Sequence, residues 1–424
     1  MSDQSSRPAA PQPLVRPFTG LRPTPQHAAE VAAPPYDVLD SDEARALAFG
    51  KRWSFLHISK PEIDLPPGID SHAPEVYAMA GTNMRAIIAA DVLRRDEIPA
   101  YYIYRVQMGD HVQTGIVASG SVDAYEANLI RRHEHTRPDK EDDRVAQILA
   151  VEAHTGPVFC FHAPHPALAR ITAAATKSAP AYSVTGPGGS VHSLWEVTDP
   201  TDIYAIGEGF AEQGVIYIAD GHHRSAAAAR VRAELRKANP NHTGVEHYNY
   251  FLIVSFPGDE VRIYDYNRVV RDLNGMTAEQ FLVRLARDFT VTPANAAAKP
   301  TIARTFGMYL AGKWYALAFK QQPAADLSAV ERLDVSLLST RLLEPMLAIG
   351  DPRVDPRIDF IGGIRGMAEL EKRVDSGQWA VAFALYPTSI ADLKAVADAE
   401  AVMPPKSTWF EPKLADGMVS LPLE

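Results

Sequence analysis

Val215-Ile216-Tyr217-Ile218-Ala219-Asp220-Gly221-His222-His223-Arg224-Ser225, followed by four alanines, is the stretch that decides how this chain is read. The apolar run Val215 to Ile218 spells a short buried strand, Asp220-Gly221 a tight turn, and Ser225 to Leu235 an alanine-rich helix. His222, His223 and Arg224 therefore fall where a strand feeds a helix N-terminus. Such a place suits an anion, because the first backbone N–H groups lack intrahelical partners, the dipole is positive there, and a guanidinium grips phosphate oxygens in pairs. The other reading of the same residues is a capped turn, with Asp220 as N-cap and two surface histidines.

Composition narrows the classes. A chain of 424 residues has room for two domains or one elaborated α/β domain. Forty-two Lys and Arg stand against 52 Asp and Glu, a net charge of −10, which argues against extended nucleic-acid binding, where basic surface supplies most affinity. With one cysteine, Cys160, neither a disulfide framework nor a cysteine zinc cluster is open to this chain, and a reducing cytosol is the expected home. Cys160 sits in Val158-Phe159-Cys160-Phe161 and reads as a small core residue. Residues 1–13, rich in Ser, Pro, Gln and Ala without an apolar stretch, read as a disordered leader. No run is apolar for long enough to span a bilayer, so no membrane partner is expected.

Along the chain, prolines 17, 23, 25, 34 and 35 force extended strand and turns, and Ser41-Asp42-Glu43 starts a short helix. Trp53 to Ile58 reads as a strand, Pro74 to Arg95 as a helix, and Ala100 to Arg105 with Gln113 to Asp123 as a hairpin. Helical character over Arg144–His154, a strand at Pro157–His162, a helix at Ala167–Lys177, a hairpin at Tyr182–Trp195 and a helix at Thr201–Gln213 follow. Tyr248 to Phe256 and Val261 to Val269 read as a second hairpin around Pro257-Gly258-Asp259, and Val335 to Leu347 as a helix. Strands and helices alternate with hairpins, so the expected class is mixed α/β (α+β).

Three further constellations carry chemistry. The block His133 to Arg144 supplies Glu134 and His135 as general bases or metal-holding groups; it equally reads as a solvated charged loop. Its histidines lack the i, i+4 spacing of a helical zinc protease. Asp37 follows two prolines that fix its backbone, which suits either a placed acid or a turn cap. Lys406, Ser407 and Thr408 lie between prolines in a stiff, donor-rich loop that either meets an anion or straps the C-terminal end through Trp409 and Phe410. Signals for a P-loop, a Rossmann turn and a hydrolase elbow are missing.

Taken in order, Arg16-Pro17-Phe18, Gly20-Leu21-Arg22-Pro23, Pro34-Pro35-Tyr36-Asp37-Val38, Ser54-Phe55-Leu56-His57, Lys60-Pro61-Glu62, His133-Glu134-His135-Thr136, Asp143-Arg144, Ala219 to Arg224 and Met403 to Thr408 resemble domain-of-unknown-function family 1015. The Asp220-Gly221-His222-His223-Arg224 turn also resembles the phosphate-binding turn of the ParB/sulfiredoxin superfamily, which includes free serine kinases with this string. That resemblance implies a ParB/sulfiredoxin-like core with hairpin insertions over residues 14–275 and an additional C-terminal region over 276–424. It implies Gly221, His222, His223 and Arg224, with Lys406, Ser407 and Thr408, on nucleotide phosphates; Glu134, Asp37 or Asp220 in catalysis; and Arg22, Tyr36, His135 and Arg144 on the substrate. The implied ligands are ATP or ADP with Mg2+ and a small hydroxylated acceptor, free L-serine first. Two rivals remain open, a nucleotide-binding regulatory module without turnover and a metal-dependent hydrolase built on His133, His135, His222 and His223. Assembly as a homodimer is also left open.

Overall fold

The computed structural model describes residues 13–424, so the expected leader lies outside the described residues except for Pro13. The chain divides into two compact units. The first comprises the chain up to Val261 and returns with Pro412–Glu424; the second is Arg262–Glu411.

The main sheet of the first unit runs, in space, Ile130–Arg131, Ile216–Asp220, Val158–His162, Tyr250–Pro257, His111–Ser121, Tyr101–Met108, Val191–Val197 and Tyr182–Thr185, with Val15–Arg16 added beside His111–Ser121. Ile216–Asp220 pairs parallel with Ile130–Arg131, and Tyr250–Pro257 pairs parallel with Val158–His162. The other pairings are antiparallel. The class is therefore mixed α/β, with the hairpins 101–121 and 182–197 where turn chemistry placed them.

Central strands are buried on both faces. Tyr250–Pro257 is buried along its length apart from its last residue, which demands covering layers on both sides. Helices Pro166–Ala175 and Pro200–Gln213 bury Leu168, Ile171, Ile206 and Phe210 in one core cluster with Tyr101, Ile103, Cys160 and Ile218. Truncating a fully buried aromatic such as Phe210 to alanine costs about 3–5 kcal/mol. Helix Pro138–Val151 meets helix His222–Ala238 through Val145, Ile148, Ala227 and Val231. Ala227 leaves that seam narrow enough for close approach, and Ala228 packs into the sheet core instead.

Several sequence expectations change, the helix expected over Pro74–Arg95 ending at Ala89 with Leu93–Arg95 a strand among them. Trp53–Ile58 is not a strand: Leu56–Ser59 forms a helical turn, because Phe55, Leu56, Ile58 and Ser59 are all buried, a spacing that follows the helical period and not the alternation of a strand. The charged block is not a solvated loop throughout, since Pro138 occupies the first turn of a helix that runs to Val151, starting ahead of the Arg144 read from sequence. The hairpin expected over Tyr248–Val269 does not form. Tyr250–Pro257 pairs on both edges inside the first sheet, whereas Tyr266–Val270 belongs to the second unit.

The second unit holds a six-stranded antiparallel sheet in the order Phe289–Ala294, Lys313–Phe319, Thr305–Leu310, Val381–Leu385, Tyr266–Val270, Ile358–Gly362. Helix Met367–Asp375 buries Leu370 and Val374 against Val269, Ala382 and Ala384. The expected helix 335–347 is present with a π turn over Ser339–Leu343, just ahead of Pro345, whose missing N–H and ring a regular helix would not accommodate.

No helix among the described residues is long and apolar enough to cross a membrane.

Candidate active site

Strand Ile216–Asp220 shifts register against Val158–His162 between Ile218 and Asp220. Such a bulge re-aims the side chain that follows it, here Asp220. Gly221 then takes φ +100°, a left-handed conformation that penalises any side chain, and helix His222–Ala238 starts with no side-chain cap. Asp220 is thus not the N-cap. Its carboxylate instead meets Arg224 Nη2 and Lys413 Nζ, each at 3.4 Å. Burial on its own raises the Asp220 carboxyl, but Lys413 and Arg224 outweigh it and hold the group well below the usual carboxylate range.

Arg224 is fastened on its other side. Its Nη1 donates to the Pro157 carbonyl at 2.6 Å. A Cβ at Gly221 would come within 2.9 Å of Arg224 Nε, so glycine is required by contact as well as by φ. Burial opposes the charge, but Asp220, Asp37, Tyr36 and Asp416 together hold the guanidinium above its ordinary value. It stays cationic.

The two histidines of the turn do different work from that expected of surface residues. His222 Nε2 accepts from the His133 backbone N–H at 3.4 Å, and the two rings meet edge to face with centroids 4.5 Å apart. With Nε2 an acceptor, the neutral ring carries its proton on Nδ1, which lies 3.8 Å from Glu134 Oε2. His223 Nε2 accepts from the Arg137 N–H at 3.2 Å. Both imidazoles anchor the 133–137 segment, and burial lowers both pKa values, His222 well below the usual range.

Beside the turn lies a small recess of about 30 Å3, lined among others by Tyr36, Ser59, Arg144, His154, Arg224 and Asp416. The Arg144 guanidinium lies 3.8 Å from the centroid of the Tyr36 ring and bonds Asp143 through Nε and Nη2. Burial pushes the Tyr36 hydroxyl up to about 12, with Arg144 pulling the other way. Asp416 arrives through a two-way backbone bridge to Ala33. Burial pushes its carboxyl up to about 7, against the pull of Arg224.

The structure brings together Asp220, Gly221, His222, His223, Arg224 and Glu134, and around the recess Tyr36, Arg144 and Arg224. Asp37 is exposed, close enough to Arg224 to support its charge. His135 is exposed. Arg22 is engaged away from the recess lining, with Nε 2.9 Å from Asp96 Oδ1 and Nη2 2.5 Å from Glu196. Lys406, Ser407 and Thr408 belong to the second unit, where the Lys406 carbonyl accepts from Arg268 and Ser407 Oγ donates to the Pro404 carbonyl. Sequence reasoning passed over Lys413, Asp416, His154 and Ser59 as site residues. The one available signal was Asp416 as an isolated acid in Leu414-Ala415-Asp416-Gly417-Met418.

Among the described residues no group of three or more His, Cys, Asp or Glu is placed to hold a metal ion. Cys160 is fully buried, its thiol pushed up by burial, and is a core residue.

Several solved structures are similar in part. A free serine kinase mutant in complex with AMP is 12% identical, with 70% of this chain and 86% of that chain covered at a TM-score of 0.34. SbnI with a C-terminal truncation, from Staphylococcus aureus, is 13% identical, covering 72% and 87% at 0.37. A conserved hypothetical protein from Pyrococcus furiosus is 14% identical, covering 71% and 93% at 0.32. No curated protein matches the chain. The family model described as "Protein of unknown function (DUF1015)" matches residues 15–336, a span that carries the whole Asp220–Arg224 turn, the 133–137 segment it anchors and the Tyr36 side of the recess, and the chain belongs to that family.

Proposed function

We propose that the first unit is a ParB/sulfiredoxin-like phosphotransferase that moves a phosphoryl group from ATP or ADP to the hydroxyl of a small metabolite, with free L-serine the first acceptor to test. The observation that carries this reading is the buried guanidinium of Arg224 beside the uncapped first turn of a 17-residue helix. Fixed donors of this kind stabilise charge on a transferring phosphoryl group without reorganising as it develops. Gly221 and the first-turn amides would take phosphate oxygens. Glu134, about two-fifths exposed and held near His222, is the candidate base, with Asp37 the alternative. In the transfer, the acceptor oxygen bonds to phosphorus, the bond to the bridging oxygen breaks, the nucleotide leaves with that electron pair, and the hydroxyl proton passes to the carboxylate.

The donor set fits a nucleotide phosphate. A Mg2+ ion bound with the nucleotide would neutralise phosphate charge, and Glu134 or Asp220 would be the carboxylate to hold it.

Purified protein mixed with L-serine, Mg2+ and either ATP or ADP should form O-phosphoserine. Arg224→Ala should abolish product while keeping the wild-type circular dichroism spectrum; Arg224→Lys separates charge from fork geometry. A variant without the guanidinium that still turned over at the wild-type rate would end the assignment. A second reading, nucleotide binding without turnover, is favoured by the anchoring of the 133–137 segment to the turn, which links occupancy to a loop. Nucleotide binding without product from any hydroxylated acceptor would select it.

A further inference from the structure

Three side chains of the recess are more than nine-tenths buried and carry a polar atom with no hydrogen-bond partner: Ser59 Oγ, His154 Nε2 and Asp416 Oδ1. Buried polar atoms left unpaired each cost about 1–3 kcal/mol, so three around one recess call for a ligand that pairs them.

Their chemistry says which ligand. His154 bonds the Tyr250 backbone in the sense that favours its protonated form, which makes that ring nitrogen the donor and leaves Nε2 an acceptor. Burial keeps the ring neutral, its pKa lowered to about 4. Asp416 Oδ1 is an acceptor when ionised, and Ser59 Oγ has acceptor lone pairs. With Asp416 ionised, all three can accept at once, which matches the three N–H bonds of an ammonium group. The same recess is lined by two guanidinia, Arg144 and Arg224, which match an anion. Gly156 leaves room where the two charges meet: a Cβ there would lie 3.5 Å from both Arg224 Nη1 and Asp416 Oδ1.

We propose that this recess is the subsite for a small molecule bearing a primary ammonium group, which is taken by Asp416, His154 and Ser59 while an anionic substituent turns toward Arg144 and Arg224. The assignment rests on the phosphotransferase reading for the identity of the recess as the acceptor end of the site; recognition of the amine is measurable without turnover. The groups facing Asp416 are Arg224, Arg144, Asp37 and the Tyr36 backbone. An ammonium held against the Asp416 carboxyl favours its ionised form, so affinity should rise from pH 6 to pH 8.

The test is calorimetric titration of the full chain, with and without ADP, using ethanolamine (amine only), L-serine (amine and carboxylate) and glycolate (carboxylate only). Ethanolamine and L-serine should bind, and glycolate should bind at least tenfold more weakly than L-serine. Asp416→Asn should weaken both amines at least tenfold. Ser59→Ala, a small change that leaves the wall intact, should weaken them severalfold, and the wild-type pH series supplies a third reading if Asp416→Asn does not fold. Glycolate binding as tightly as L-serine, equal affinity of Asp416→Asn for ethanolamine, or no amine binding in either condition would overturn the proposal. ADP binding without amine binding removes this inference alone; amine binding without ADP binding removes the phosphotransferase reading alone.

Discussion

Two residues concentrate the physics of the site. Gly221 sits at φ +100° against Arg224, so Gly221→Ala should lower stability by about 1–2 kcal/mol in a denaturant titration and displace the guanidinium, weakening ADP binding in parallel. An unchanged midpoint would mean that the turn relaxes into another conformation. Asp416 behaves oppositely to an ordinary acid. Its folded pKa, about 7, lies above the ordinary 3.8, so its contribution is full below pH 4 and is lost as pH rises through 7. Asp416→Asn should therefore gain roughly 2–3 kcal/mol more relative to wild type at pH 8 than at pH 5. Equal gains at both pH values would show that the carboxyl is ionised throughout. Gly221 was legible in the sequence because a strand, a turn and a helix start lie within ten residues of it. Asp416 was not, because only the pairing of Ala33 with a far segment brings it to Arg224.

The elements that build the site are coupled through backbone groups of the 133–137 segment, which donate to the two imidazoles of the turn. His223→Ala removes the acceptor for the Arg137 N–H, a loss of about 1 kcal/mol, so exchange of that amide should quicken about fivefold to tenfold by NMR. Exchange at the wild-type rate would mean that the segment is held by its other contacts. Here the sequence was half informative. The helix starting at Pro138 was hidden by its charges, of which Asp139, Lys140 and Asp142 face solvent while Val145, Ile148 and Val151 face inward. His133 to Thr136 offered only a row of polar residues, and burial of the first of them depends on a ring that meets it from another element. Trp53–Ile58 misled for the converse reason: the strand preference of Trp53, Phe55 and Ile58 was overruled by tertiary burial on a helical spacing.

At the scale of the whole chain, histidines set the acid limit. His133, His154, His162 and His192 are buried with pKa values lowered to about 4, chiefly by burial. The unfolded chain protonates each near 6.5 while the folded chain does not, so the stability they contribute is complete above pH 6.5 and is lost as pH falls toward 4. Each should cost on the order of 1 kcal/mol per pH unit in that window, a steep fall in Tm between pH 6.5 and 4.5 that carboxylates alone would place lower. A flat profile across that window would show that these rings ionise in place. The mixed α/β class was legible from alternating patterns, but the division was not, because the first unit is interrupted after Val261 and completed by Pro412–Glu424. That interruption bears on biosynthesis. A ribosome releases the glycine turn and its arginine early, yet Lys413 and Asp416 leave the exit tunnel only after the entire intervening unit, so a nascent chain exposes Asp220 and Arg224 before either meets its late partner, Lys413 for the carboxylate and Asp416 for the guanidinium.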